Sequence, residues 1–392
     1  MYDGSLLLTA QKGFGIIGML LTTPFWARDS ACRSDYWCPP ADVNQYAEFA
    51  SWMVERYDGD GVDDAPGSPR IAAWQIWNEP NDTLLWPNIG NDGNARKRRY
   101  GQLLVAAYDA IKAADPTATV LTGGTYIYDG SCAGGICDGF NFFNADGGVF
   151  KQVPAARDAF DVFAVHPYIP TDSPDATYIP HVITVQGRLR NARNWLNDAA
   201  IGRRDAPIWI TEMGWCTAPG TCPGNAIITE EQQANYMVRS LVIAQQTGVQ
   251  HTSYFQFEDA FDDDGREWSN AAIVRNYTGS AYPPKPAYNA YRVLSSQLRN
   301  AVPVGIGPAH THQYDAENFN GSGGVYHYRY TRGSAIIDVL WVPQGETIAS
   351  FALESNRSVR LFDRDGGSLG PNVSNGRLNL NLSERPLIVV QE

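Results

Sequence analysis

Apolar residues fall into two alternating patterns over the first three quarters of the chain. Short unbroken runs have the length and the β-branched or aromatic content of buried strands: FGIIGMLLTT (14–23), IAAWQIWN (71–78), ATVLTGG (118–124), DVFAVHPY (161–168), APIWITEMG (206–214) and TSYFQFED (252–259). Between them lie stretches whose apolar positions recur three and four apart, the period of a helix with one buried face. These are DVNQYAEFASWMVERY (42–57), ARKRRYGQLLVAAYDAIKAAD (95–115), QGRLRNARNWLNDAA (186–200), TEEQQANYMVRSLVIAQQTG (229–248) and KPAYNAYRVLSSQL (285–298). Asp42 and Thr229 stand where helix N-caps belong, and Gly248 stands where a helix stops. Strands alternating with helices predict a parallel α/β sheet. After residue 303 the period shortens to two. GGVYHYRYT, SAIIDVLWVP, SVRLFDRDG, GRLNLNLS and PLIVVQE are separated by turns rich in Gly, Asn and Asp. That pattern predicts an antiparallel β-sandwich. The expected domains are residues 1–302, a (β/α) barrel, and 303–392, the sandwich.

The strand count changes the picture. Six strands are legible, and a TIM-type barrel has eight. The opening YDGSLLLTAQKGFG reads as a helix that runs straight into the first strand, as though two strand–helix units were missing from the front. The fold expected is therefore an incomplete (β/α)8 barrel plus a sandwich. Three explanations stand for the gap: a truncated start, a true open barrel, or a homo-oligomer in which a partner chain closes it. Unpaired sheet edges would favour association.

Composition narrows the partners. The chain has 392 residues and a net charge of -12, which argues against nucleic acid, whose phosphates call for basic patches. Neutral ligands such as sugars stay open, and eleven Trp and twenty Tyr supply aromatic faces that also fill cores. The longest apolar stretch, residues 13–26, contains a Pro and is too short to span a bilayer, so no membrane partner is expected. No basic segment or cleavage site marks it as a signal peptide. The six cysteines form close pairs: Cys32 with Cys38, Cys132 with Cys137, Cys216 with Cys222. Three local disulfides and an extracellular or periplasmic location are expected. Zinc is the competing reading, against which stand the spacing and the lack of flanking His; free thiols are a third.

Two stretches carry chemistry: WNEPN (77–81) and WITEMGW (209–215). Glu79 ends the second legible strand and Glu212 the fifth, and catalytic groups of parallel barrels sit at the C-terminal ends of strands. Two carboxylates on one rim are what retaining glycoside hydrolysis uses, one as acid/base and one as nucleophile. The acid must hold its proton near neutral pH, which burial or the second carboxylate can arrange. The competing reading has each Glu merely ending a strand.

WQIWNEPN resembles the acid/base strand of the clan A retaining glycoside hydrolases, and WITEMGW their nucleophile segment. The closest likeness is to family 39, the β-xylosidase group, with family 5 cellulases next. The resemblance implies that Glu79 is the acid/base, that Asn78 contacts the sugar 2-hydroxyl and that Glu212 attacks the anomeric carbon. AVHPY resembles the clan's sixth strand, implying that His166 and Tyr168 line the site with Tyr168 as the partner of Glu212. TPFWA implies that Trp26 lies near the sugar, and YFQFEDAF followed by KPAYNAY resembles the eighth strand and its helix. By this match the six strands are the third to the eighth, and the Arg that supports the nucleophile from the second has no counterpart.

Other residues stay two-sided. His166 is a site residue or a core histidine, and Trp215 floors a subsite or fills the core. EDAFDDDG (258–265) lacks the spacing and closing Glu of a calcium-binding hand, so it reads as a solvated acidic loop; Glu258 and Asp259 remain candidates for substrate contact. The sequons at Asn81 and Asn276 matter only in a eukaryotic secretory host. No nucleotide-binding or serine-hydrolase motif occurs. The reading is a retaining β-glycosidase on xylan or β-glucan type substrates, needing neither cofactor nor metal. Its rival is a non-catalytic carbohydrate-binding protein on a degenerate barrel.

Overall fold

The structure is a computed structural model. It describes residues 2–89, 92–132, 135–169, 171–177, 183–218, 222, 228–259, 268–277, 279, 281–313, 324–355 and 357–392; within these, the side chains of 128–138 are not described. The chain forms two compact units. The first comprises Met1–Pro167 and Ala192–Thr211, the second Tyr168–Asn191 and Glu212–Glu392.

In the first unit, helix α1 (Asp3–Gln11) leads to strand β1 (Ile17–Leu20) and then α2 (Val43–Arg56), whose N-cap Asp42 accepts from Asn44 N–H. Strand β2 (Ala73–Ile76), α3 (Ala95–Ala114) and strands β3 (Thr119–Leu121), β4 (Thr125–Cys132) and β5 (Gly135–Asp138) follow. Two short helices, α4 (Gly139–Phe143) and α5 (Val149–Gln152), precede β6 (Phe163–His166) and β7 (Ile208–Ile210). β1 pairs with β2 and β2 with β3, all parallel; β4 pairs with β6 and β6 with β7, also parallel. Parallel bridges Asn78–Gly124 and Leu121–Val162 join the two ladders. Apart from β5, which pairs antiparallel with β4, these strands are neighbours in chain order, the arrangement that a (β/α) barrel uses. Among the described residues β1 pairs on one side only, with β2. Ala73, Leu121, Val162 and Ala164 form one apolar cluster on these strands. Phe143 packs edge-on against Phe163, and Trp195 lies 5.0 Å from Phe163 and 6.0 Å from Phe150.

Helix α6 (Val185–Asn197) divides between the two units. The second unit holds α7 (Glu230–Gln246), β8 (His251–Thr252) and α8 (Pro286–Leu298). Thr229 and Gln232 cap α7 reciprocally, each bonding the other's backbone N–H, and Gly248 follows it with φ 82°. Among the described residues from Val302 on, regular structure is all β: β9 (Val302–Ile306), β10 (Tyr326–Arg332), β11 (Ala335–Trp341), β12 (Thr347–Ala352), β13 (Val359–Asp363), β14 (Ser368–Leu369), β15 (Asn372–Ser374), β16 (Arg377–Leu382) and β17 (Leu387–Gln391). One sheet runs β14-β13-β17-β11-β10-β9 and the other β12-β16-β15. Leu340, Leu361 and Val389 from the first meet Phe351, Leu378, Leu380 and Leu382 from the second, so the predicted sandwich has one shared core.

Candidate active site

The first unit carries one group of candidate residues, at the end of β2. All four residues of that strand are buried. Beyond it the backbone leaves the extended form: Trp77 and Glu79 adopt φ of 70° and 43°, a region that side chains with a Cβ rarely occupy. Such strain is tolerated where neighbours fix it, and here they do. Trp77 is fully buried, its N–H donates to the Leu20 carbonyl, and its indole Nε1 donates to the Leu85 carbonyl. The Glu79 N–H donates to the Gly124 carbonyl at 2.9 Å. The carboxylate is thereby aimed at β6, where Glu79 Oε1 lies 2.7 Å from Nδ1 of His166, which is fully buried. The other ring nitrogen, Nε2, lies 2.9 Å from Thr211 Oγ1 at the end of β7. Gly124 backs the ring: a Cβ there would lie 1.9 Å from Nε2, so only glycine fits. Asn78 is half-buried, and its Oδ1 accepts from Gln75 Nε2 at 3.4 Å. Burial, and behind it the Glu79 charge, push the Asp82 carboxyl above its usual range.

Trp26 stands in a 3-10 turn, Phe25–Ala27, past the end of β1, with 72 % of its surface open. It lines a groove of about 420 Å³ with Thr22, Arg28, Tyr36, Tyr46 and Phe49. The Cys32–Cys38 disulfide closes the loop that follows, with 5.5 Å between the Cα atoms.

The second unit carries another group of candidate residues. Tyr168 Oη donates to Glu212 Oε2 at 3.0 Å, and its ring lies 4.6 Å from that of Trp268. Gly214 makes room for the Phe255 carbonyl, which would lie 2.1 Å from a Cβ there; the Phe255 N–H donates to Met213 O. Trp215 is fully buried, packed edge-on against Tyr236, with Nε1 donating to the Asp172 carbonyl. Its side chain has no exposed surface. Cys216 and Cys222 are bonded, with Cα atoms 5.4 Å apart. The third expected disulfide, Cys132–Cys137, falls on side chains outside the described residues.

Glu258 accepts from the Tyr277 N–H at 3.1 Å. Asp259 is buried and meets Lys285 Nζ at 2.8 Å, which also donates to the Asn270 carbonyl. Burial pushes the Asp259 carboxyl up and the Lys285 ammonium down despite that contact. The rest of the acidic run 258–265, from residue 260, lies outside the described residues. Sequence reasoning assigned no part to Thr211, Trp268 or Lys285. Only Thr211 carried a signal, its place beside Glu212.

The cellulase family, glycosyl hydrolase family 5, matches residues 35–256, more than half of the chain. The chain belongs to this family. As a family 5 member it is a glycoside hydrolase, an enzyme acting on glycosidic bonds. Its fold neighbours lie in the same clan. A family 39 glycoside hydrolase from Bacteroides cellulosilyticus WH2 superposes with a TM-score of 0.67 at 19% identity, covering 99% of this chain and 70% of that one. A family 39 β-xylosidase from Caulobacter crescentus gives 0.52 at 15%, covering 97% and 78%. The catalytic domain of family 30 xylanase C from Talaromyces cellulolyticus gives 0.54 at 13%, covering 96% and 76%. Among the curated proteins none matches by sequence. The clan A resemblance holds, with family 5 by sequence and family 39 by fold. Among the described residues no helix is long and apolar enough to cross a membrane, and the two disulfides are compatible with an extracellular or periplasmic site.

Proposed function

We propose that this family 5 member is a retaining β-glycosidase whose substrate is a β-linked oligo- or polysaccharide of the xylan or β-glucan type. The observation that carries the reading is the matched treatment of two glutamates. Each follows a strand of a barrel-type sheet, and each is held by a side chain at or just past the end of β6, Glu79 by His166 and Glu212 by Tyr168. In the first step Glu79 gives its proton to the glycosidic oxygen. Glu212 bonds to the anomeric carbon, and the broken C–O bond leaves its electron pair on the departing oxygen. In the second step Glu79, now a carboxylate, takes a proton from water. The water oxygen bonds to the anomeric carbon and Glu212 leaves with its pair, so configuration is retained. Asn78, Trp26, Glu258 and Asp259 are the further candidates for sugar contact. The β-linked pentose and hexose preference draws on the cellulase family and on the xylanase and xylosidase activities named for the fold neighbours. We take residues 1–302 as the catalytic domain and 303–392 as the sandwich domain.

The test sets wild type beside Glu212→Ala and Glu79→Ala on aryl β-xylosides and β-glucosides and on β-linked polysaccharides. Loss of general acid catalysis at Glu79 should cost about 10²- to 10⁴-fold on poor leaving groups, with azide restoring turnover as a β-glycosyl azide. Azide acting on Glu212→Ala should give the α-azide instead. Proton NMR of the first-formed product should show the β-anomer. An α-anomer from wild type overturns retention, and sugar that is bound yet never cleaved returns the chain to the binding-protein reading.

A further inference from the structure

We infer that Thr211 is a positioning residue: its hydroxyl donates to Nε2 of His166, fixes the ring proton on Nδ1, and so leaves Oε2 as the oxygen of Glu79 that carries the catalytic proton. The inference rests on the reading of Glu79 as acid/base. A neutral imidazole has one N–H and one lone pair. An ionised carboxylate can only accept, so whenever Glu79 is a carboxylate the 2.7 Å contact requires a hydrogen on Nδ1. The Nε2 lone pair then faces Thr211 Oγ1 at 2.9 Å, and the hydroxyl must be the donor. Which nitrogen of a histidine carries the proton is decided by what the other one bonds.

The parts are held by regular structure. His166 ends β6, Thr211 directly follows β7, the two strands pair through Val165 and Ile210, and the Thr211 N–H donates to the Val165 carbonyl. Gly124 closes the space behind the ring. Neither His166 nor Thr211 depends on a loop for its position.

The consequence is a division of labour within one carboxyl. Oε1 stays engaged by Nδ1–H in both protonation states, and Oε2 gives up the proton in the first step and takes it from water in the second. In this arrangement no proton passes through His166. The opposite tautomer would turn a lone pair toward Glu79 and draw the acid's own proton onto Oε1, away from the sugar.

The full chain labelled with ¹⁵N-histidine reads this directly. The two ring nitrogens of a neutral histidine have separate ¹⁵N shifts according to which is protonated, and the His166 signals are those lost in His166→Gln. Wild type should show the Nδ1–H form. Thr211→Val should move His166 to the Nε2–H form or a mixture. It should also lower kcat about tenfold or more for poor leaving groups, with a loss that shrinks as the leaving group improves, because only proton donation is impaired. Thr211→Ser, which keeps the hydroxyl, should restore both the spectrum and the leaving-group dependence. An Nε2–H or doubly protonated ring in wild type overturns the inference, as does a Thr211→Val enzyme with the wild-type tautomer and leaving-group dependence. Should Thr211→Val fail to fold, the wild-type and Thr211→Ser spectra decide alone. If instead Glu79→Ala keeps its rate on poor leaving groups, the acid/base reading has failed, whatever the tautomer.

Discussion

Each candidate glutamate meets a side chain at the end of β6 or just past it, His166 for Glu79 and Tyr168 for Glu212. Removing the Tyr168 hydroxyl removes one hydrogen bond to a charged group, worth about 1.5–3 kcal/mol. Tyr168→Phe should therefore lower kcat by roughly ten- to a hundredfold while thermal unfolding moves little, since the ring keeps its place on Trp268. A variant with wild-type kcat would remove Tyr168 from the proposed site. Gly124→Ala should behave differently, because the added carbon meets His166 at 1.9 Å. Either the ring moves and activity falls, or the sheet does not form; circular dichroism beside an activity assay separates the two, and a folded enzyme of full activity would contradict the packing. These differences track what was legible beforehand. WNEPN and WITEMG stand out because the chemistry dictates residue types at strand ends. Lys285 and Trp268 do not, because their parts depend on Asp259 and Tyr168, partners 26 and 100 positions away.

Elements were legible where a hydrophobic period was long and caps were present. α2, α3, α7 and α8 lie within a residue or two of the patterns that predict them. Strands are shorter than their apolar runs, most of all TSYFQFED, of which only Thr252 lies in a strand, β8. Farther on, backbone bonds go elsewhere: Ile273 N–H to the Gln256 carbonyl and Val274 N–H to the Phe257 carbonyl. The helices α4 and α5 do not show in the sequence because GFNFF and VFKQ are each under two turns, too short for a period to appear. In the sandwich the alternation of RLNLNL is legible because Leu378, Leu380 and Leu382 all point into the core. Capping is testable here. Thr229→Ala removes the acceptor for the Gln232 N–H and should cost about 1 kcal/mol, read as a small fall in Tm, with Thr229→Ser close to wild type.

At the scale of the whole molecule, buried charges set the pH response. His310 is pushed down from 6.5 to about 4, first by burial and then by the neighbouring His312. The unfolded chain takes up this proton near pH 6.5 and the folded one only near 4. Stability from this group is therefore complete above 6.5 and is lost as pH falls from 6.5 toward 4. Asp338 acts further down the scale. Burial pushes its carboxyl up, but hydrogen bonds from His327 and Arg329 outweigh this and hold it low. Denaturant titrations across that range should show the loss in wild type and a smaller one in His310→Gln; equal slopes would exclude His310 as a source. A buried ion pair adds a further dependence. Arg239 on α7 is fully buried against Asp175, whose second oxygen accepts from Trp341 Nε1 at 2.6 Å. Asp175→Ala would strand that guanidinium without its counter-charge, a loss of about 3–5 kcal/mol that thermal unfolding would register.

That knot also bears on modularity. Asp175 comes from the loop after β6, Arg239 from a helix of the barrel type and Trp341 from the sandwich; Arg364, also from the sandwich, adds a second clasp on Asn235 of the same helix. The sandwich is therefore not a passenger that can be exchanged like a module on a flexible tether. A chimera that borrows it from another protein must bring an indole N–H and a guanidinium to the same two places. A chain cut at residue 302 would open Asp175 and Arg239 to water, turning a buried anchor into a surface ion pair of little worth.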